Sequence, residues 1–138
     1  MSASKVIFFH IQDNAKKIQC ICDTVRHFFY EDQALLIMVP SDEAAQYVDQ
    51  LLWRQPKESF IPHMVANSTN DALVAITTTE NNVNEAKILV NLLPDCRAIF
   101  NKFPVIYDFL DGTHPEKKQK SQTRLAYYQE HNYEILLS

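Results

Sequence analysis

A single glycine, Gly112, stands among 138 residues. That scarcity excludes whole classes of chemistry. A dinucleotide-binding fingerprint needs several glycines in one tight turn, and a P-loop needs a glycine-rich phosphate cradle; neither can be written with one. Left-handed turn positions must then fall to Asn and Asp, whose short side chains tolerate them. Long apolar runs are also missing: a stretch such as Ala34 to Pro40 falls far short of the ~20 residues that span a bilayer. Val6 to Ile11, the apolar-leaning run near the N-terminus, is too short for a secretory signal core, so a cytoplasmic protein is expected. Cysteine is sparse. Cys20, Cys22 and Cys96 cannot all pair within one chain, and Cys20 and Cys22, two apart on a predicted helix, point to different faces. Buried, inert thiols are expected, with no metal and no cofactor. The five histidines form no H-E-x-x-H pattern, and no Ser lies in a G-x-S-x-G elbow.

What is present reads as one ordinary core. Apolar residues make up 46% and charged residues 22%, so residues 1–138 are expected to form a single domain. Lys5 to Ile11 reads as a strand. Asp13 is a plausible N-cap for an amphipathic helix over 14–30, where Ile18, Ile21, Cys22, Val25, Phe28 and Phe29 recur at helical spacing. Ala34 to Val39 reads as a strand buried on both faces, and Ser41, Asp42 and Glu43 open the next helix. After an irregular link from Trp53 to His63, strands are predicted at 61–66, 72–77, 88–92, 104–110 and 133–137, with a short helix from Pro94 through Phe100 and a last helix over about 115–131. Alternation of this kind predicts a three-layer α/β/α, Rossmann-like domain on a mostly parallel (mixed) sheet. Strand order is not legible.

Three features stand out as candidate sites. His10 lies near the carboxyl end of the first strand, where open α/β sheets often place ligands, so a small enzyme with a strand-end site is one reading. Asp108 sits inside the apolar stretch Val105 to Leu110, as an inward-facing acid or a turn-satisfying one. The link carries Trp53 and Phe60 around Pro56, either plugging the core or presenting apolar area to a protein partner. Charge is uneven as well. Residues 113–128 hold Lys117, Lys118, Lys120 and Arg124 against Glu116, a net +3, which leaves −7 for the rest of a chain whose total is −4. One basic helix on an acidic protein suits a short acidic peptide better than a long phosphate backbone. Direct single-strand binding, with Tyr127 and Tyr128 stacking on bases, is the remaining alternative.

The residues of the link carry a resemblance. Leu52, Trp53, Pro56, Glu58, Ser59, Phe60, Pro62 and His63 stand in an order and spacing similar to those of the chi subunits of bacterial DNA polymerase III. The opening strand and helix, the run Ile88 to Leu92 followed by Pro94, Phe103 through Phe109, and the late helix ending near Tyr133 and Glu134 extend it over nearly the whole chain. The resemblance implies a non-catalytic, Rossmann-like accessory subunit of the replicative polymerase. It implies docking to the psi subunit of the clamp loader, or to a repair helicase, through Trp53, Pro56, Phe60 and Ile61. It further implies a pocket along the late helix for the acidic C-terminal tail of single-stranded DNA-binding protein. That pocket maps to Lys117, Lys118, Lys120, Arg124, Leu125 and Tyr128, with Lys118 and Arg124 expected to pair with carboxylates and Leu125 and Tyr128 to meet an aromatic. Gln122 and Leu125 stand where the family carries Arg and an aromatic residue, and Asn132 replaces a Gly after the helix. A missing charge-assisted bond costs ~1.5–3 kcal/mol, so tail affinity is expected to be micromolar or weaker.

Overall fold

The computed structural model describes residues 4–54 and 61–138. Seven strands form one sheet: β1 (Lys5–Ile11), β2 (Leu35–Met38), β3 (Met64–Val65), β4 (Val74–Thr77), β5 (Ile88–Asn91), β6 (Val105–Asp111) and β7 (Glu134–Leu137). Their order is β3-β4-β2-β5-β6-β1-β7, and every pairing among the described residues is parallel. The Rossmann-like α/β reading holds. The sheet is wholly parallel rather than mixed because every connection crosses over instead of turning back as a hairpin. β2, β4 and β5 are buried along their whole length, which explains their apolar sequences, interrupted only by Thr77 and Asn91 at the carboxyl ends of β4 and β5.

Helices α1 (Asn14–Tyr30) and α2 (Asp42–Arg54) cover one face, over a core that includes Ile11, Ile21, Val25, Leu35, Ile37, Val48 and Leu52. Helix α3 (Pro115–Glu130) and a 3-10 turn at Ala98–Lys102 cover the other, over Val6, Phe8, Leu36, Met38, Phe100, Phe103, Ile106 and Tyr128. Local signals set the ends. Asp13 accepts a bond from the Lys16 N–H at 2.8 Å, and Ser41 Oγ does the same for Ala44 at 3.2 Å. Pro115 occupies the first turn of α3, where its missing N–H is harmless. Asp32 (φ 55°) and Asn132 (φ 62°), just past α1 and α3, take the left-handed positions that glycine usually fills. Gly112 serves a different need: a Cβ there would stand 3.2 Å from the Ile11 carbonyl, to which its own N–H donates at 2.7 Å.

Three expectations need correction. Helix α2 runs on through Trp53 and Arg54, so Trp53 is helical rather than part of an irregular link; the helix meets no Pro or Gly before Pro56. The strand expected at 61–66 shrinks to Met64–Val65, because Pro62 lacks a donor and His63 turns its ring back onto α2. The short helix after Pro94 is the 3-10 turn, beginning only at Ala98.

Candidate functional site

The last turn of α2 and the returning chain build a corner at one edge of the sheet. Trp53 is 58% exposed there. Its indole meets the His63 ring edge-on at 5.3 Å, and the His63 side chain is fully buried. Beyond it, Met64 and Val65 are each 46% exposed on edge strand β3, which packs beside α2. Ile61 is buried, so its side chain belongs to the core under the corner. Pro56 and Phe60, also expected at this site, lie outside the described residues.

The second place is a cleft of about 450 Å³ at the carboxyl ends of β2, β5 and β6. Connections leave β2 and β5 in opposite directions across the sheet, and that reversal opens a crevice. Pro40 and Asn91 to Pro94 form its floor. Lys17 at the start of α1, and His114, Lys117 and Lys120 at the start of α3, form its walls, so both helices turn their positive ends toward it. Lys17 Nζ donates to Asp111 at 2.7 Å and lies over the Phe109 ring. Burial alone would raise the Asp111 carboxyl, but Lys17 and the Thr113 hydroxyl and N–H outweigh it and hold it at about 2. Lys120 pairs loosely with Glu116 at 3.6 Å, whereas Lys117 and Lys118 make no ion pair with a described residue. Lys117 and Lys120 line the cleft; Lys118 is exposed elsewhere on the helix, and Leu125 is half-buried against the core.

Arg124 and Tyr128 depart from expectation. Both face inward, onto Asp108, which is fully buried. Arg124 Nε donates to Asp108 Oδ1 at 3.1 Å and to Oδ2 at 3.2 Å. Its Nη1 donates to the Pro94 carbonyl at 3.0 Å, and Nη2 to the Phe109 carbonyl at 3.1 Å and Ser121 Oγ at 3.2 Å. The Tyr128 hydroxyl donates to Asp108 Oδ2 at 2.8 Å, and Asn91 Nδ2 donates to the same oxygen at 3.1 Å. Burial pushes the Asp108 carboxyl above the ordinary carboxylate range, opposed by Arg124, the Phe109 N–H, Tyr128 and Asn91. Burial and the neighbouring Asp108 raise the Tyr128 phenol well above its ordinary value. Tyr128 therefore has no surface to offer a ligand aromatic, and Arg124 borders the cleft with four of its five N–H donors engaged within the fold. The reason is a partner 16 residues upstream, where β6 brings a carboxylate under α3.

Sequence reasoning missed Lys17, Asn91, Asp111 and His114 as cleft residues; the signal available was their place just before or after a strand's carboxyl end. His10 is exposed and lines no part of the cleft. Burial raises the Cys20 and Cys22 thiols, and pushes Cys96, beside Tyr128, up to about 12, so all three favour the unreactive thiol.

This arrangement of a charged cleft and an aromatic corner meets a family match. Residues 3–136 fit the model of the DNA polymerase III chi subunit, HolC. The chain belongs to the DNA polymerase III chi-subunit family. The chi subunit of Pseudomonas aeruginosa is 21% identical over 123 residues, which cover 89% of this chain and 86% of that protein. The family places the chain in DNA replication, as an accessory subunit of the polymerase. In this chi-family chain the corner and the cleft lie on different parts of the sheet: Trp53 stands beside edge strand β3, and the cleft opens over the central strands.

Proposed function

We propose that this chi-family chain is a cytoplasmic, non-catalytic adaptor. Its aromatic corner docks the psi subunit of the clamp loader or a repair helicase. Its basic cleft takes the acidic C-terminal tail of single-stranded DNA-binding protein. The observation that carries the reading is Trp53, a large aromatic held 58% exposed on a buried imidazole, with exposed Met64 and Val65 beside it. Aromatic anchors of this kind dominate protein interfaces. The cleft supports the second half. Lys117 and Lys120 stand at the positive end of α3, and a cleft of this volume suits the end of a peptide rather than a phosphate backbone. Lys118 extends the positive field outward, and Leu92, Leu93 and Phe109, rather than the core-packed Leu125, offer apolar contact to an incoming aromatic. Arg124 and Tyr128 act from below, by holding α3 over β6.

The test is a fluorescence-anisotropy titration of a labelled acidic tail peptide and of labelled oligo-dT. The peptide is expected to bind at micromolar strength with a gentle salt dependence, and to weaken sharply when its terminal carboxylate is amidated. Tight oligo-dT binding with a steep salt slope, and no peptide binding, would overturn the cleft assignment.

A further inference from the structure

We infer that His63 is the positioning residue of the aromatic corner, and that it does this work as an imidazolium clamped between α2 and the returning chain. The inference rests on the reading of Trp53 as the partner anchor and adds what holds that anchor in place. Asp49 and Trp53 lie four residues apart on α2, so they share one face of the helix. The His63 ring fills the space beside them. Its Nε2 lies 2.8 Å from Asp49 Oδ1 and 3.2 Å from the Asp49 carbonyl, and its Nδ1 lies 2.8 Å from the Ile61 carbonyl. Each of these partners is an acceptor. A neutral imidazole carries one N–H and satisfies one side only; the charged ring donates on both. The Asp49 carboxylate supplies the counter-charge, and the segment 61–65 brings no other charged side chain to the ring. With both bonds made, the chain re-entering at Ile61 is tied to α2, and the indole rests edge-on against a ring that cannot turn. With one bond made, the ring is free to rotate away from either Ile61 or Asp49, and the indole loses a fixed support.

Trp53 is the only tryptophan, so its emission reports on this corner alone. An imidazolium against an indole quenches it, and neutralising the ring restores it. Emission is expected to rise in one step as rising pH takes the proton from the ring. His63→Gln should abolish the step. It should also weaken binding of a psi subunit or repair helicase about tenfold at neutral pH, with tail-peptide affinity and far-ultraviolet circular dichroism kept. Asp49→Asn, which keeps the shape and removes the counter-charge, should move the step to lower pH and guards against a His63 variant that fails to fold. An unchanged step in His63→Gln, or full partner affinity in that variant when Trp53→Ala has lost it, overturns the inference and leaves the docking reading standing. Partner affinity that survives Trp53→Ala overturns the docking reading itself, and the assignment of His63 to a partner site with it.

Discussion

Replacing Arg124 with Ala should damage the fold before it damages any binding. The guanidinium is the only cation on the fully buried Asp108 among the described residues, and it also caps the carbonyls of Pro94 and Phe109. Removing one partner of a buried pair costs about 3–5 kcal/mol, because the other charge is left without compensation. Two backbone carbonyls that lose their donors add roughly 1 kcal/mol each unless water reaches them. Against a total stability of about 5–15 kcal/mol, Arg124→Ala should lower Tm by roughly 15–25 °C. The deficit carries a pH signature. Without the guanidinium, burial drives Asp108 to protonate, and an acid whose folded value is raised stabilises the fold at low pH and loses that stabilisation as pH rises through the raised value. The gap to wild type should therefore narrow toward acid. Thermal melts across pH, followed by circular dichroism, measure both effects. The double variant Asp108→Asn, Arg124→Met supplies the cycle: with the charge gone from both sides it should be markedly more stable than Arg124→Ala alone. A wild-type Tm in Arg124→Ala, with tail-peptide binding lost, would show that the side chain serves the ligand and not the core.

Other perturbations read other parts of the molecule. Asp111→Asn removes a carboxyl held at about 2 against an ordinary 3.8; the stabilisation, about 1–2 kcal/mol after solvent screening, is present above about pH 4 and lost as pH falls toward 2, so variant and wild-type melts should converge in that window. Asn132→Gly, at a left-handed position past α3, should raise stability by up to about 1 kcal/mol in a denaturant titration; a loss there would mean that the Asn side chain does more than tolerate the turn. Lys117→Glu with Lys120→Glu should weaken tail-peptide binding tenfold or more in anisotropy, with Tm changed by no more than a surface substitution allows, about 0.5 kcal/mol.

The sequence announced its helices and strands where local chemistry sets them. Asp13, Ser41 and Pro115 mark three helix starts, and Asn132 marks an end in place of glycine. The order of strands was hidden, because β2, β4 and β5 are all short, buried and mostly apolar, and any of them could fill a central place. The corner was legible as Trp53 because an aromatic near Pro56 is unusual; the role of His63 was not, because its partner Asp49 lies 14 residues back on α2. On α3 the charge pattern misled in one respect. Ser121, Arg124 and Tyr128 are its buried residues, an inner face written in polar letters. Only the folded β6, with Asp108 turned inward, separates Arg124 from the lysines around it.

The adaptor role is tested most directly by sedimentation of three components together: the chain, its psi or helicase partner, and a fluorescent acidic tail peptide. Wild type should carry the peptide in the heavier, partner-bound boundary. Trp53→Ala should move the peptide to the boundary of the chain alone, and Lys117→Glu with Lys120→Glu should leave the heavy boundary intact but without peptide. Partner and peptide that exclude each other, or a heavy boundary unchanged by Trp53→Ala, would contradict a bridge built from two separate sites.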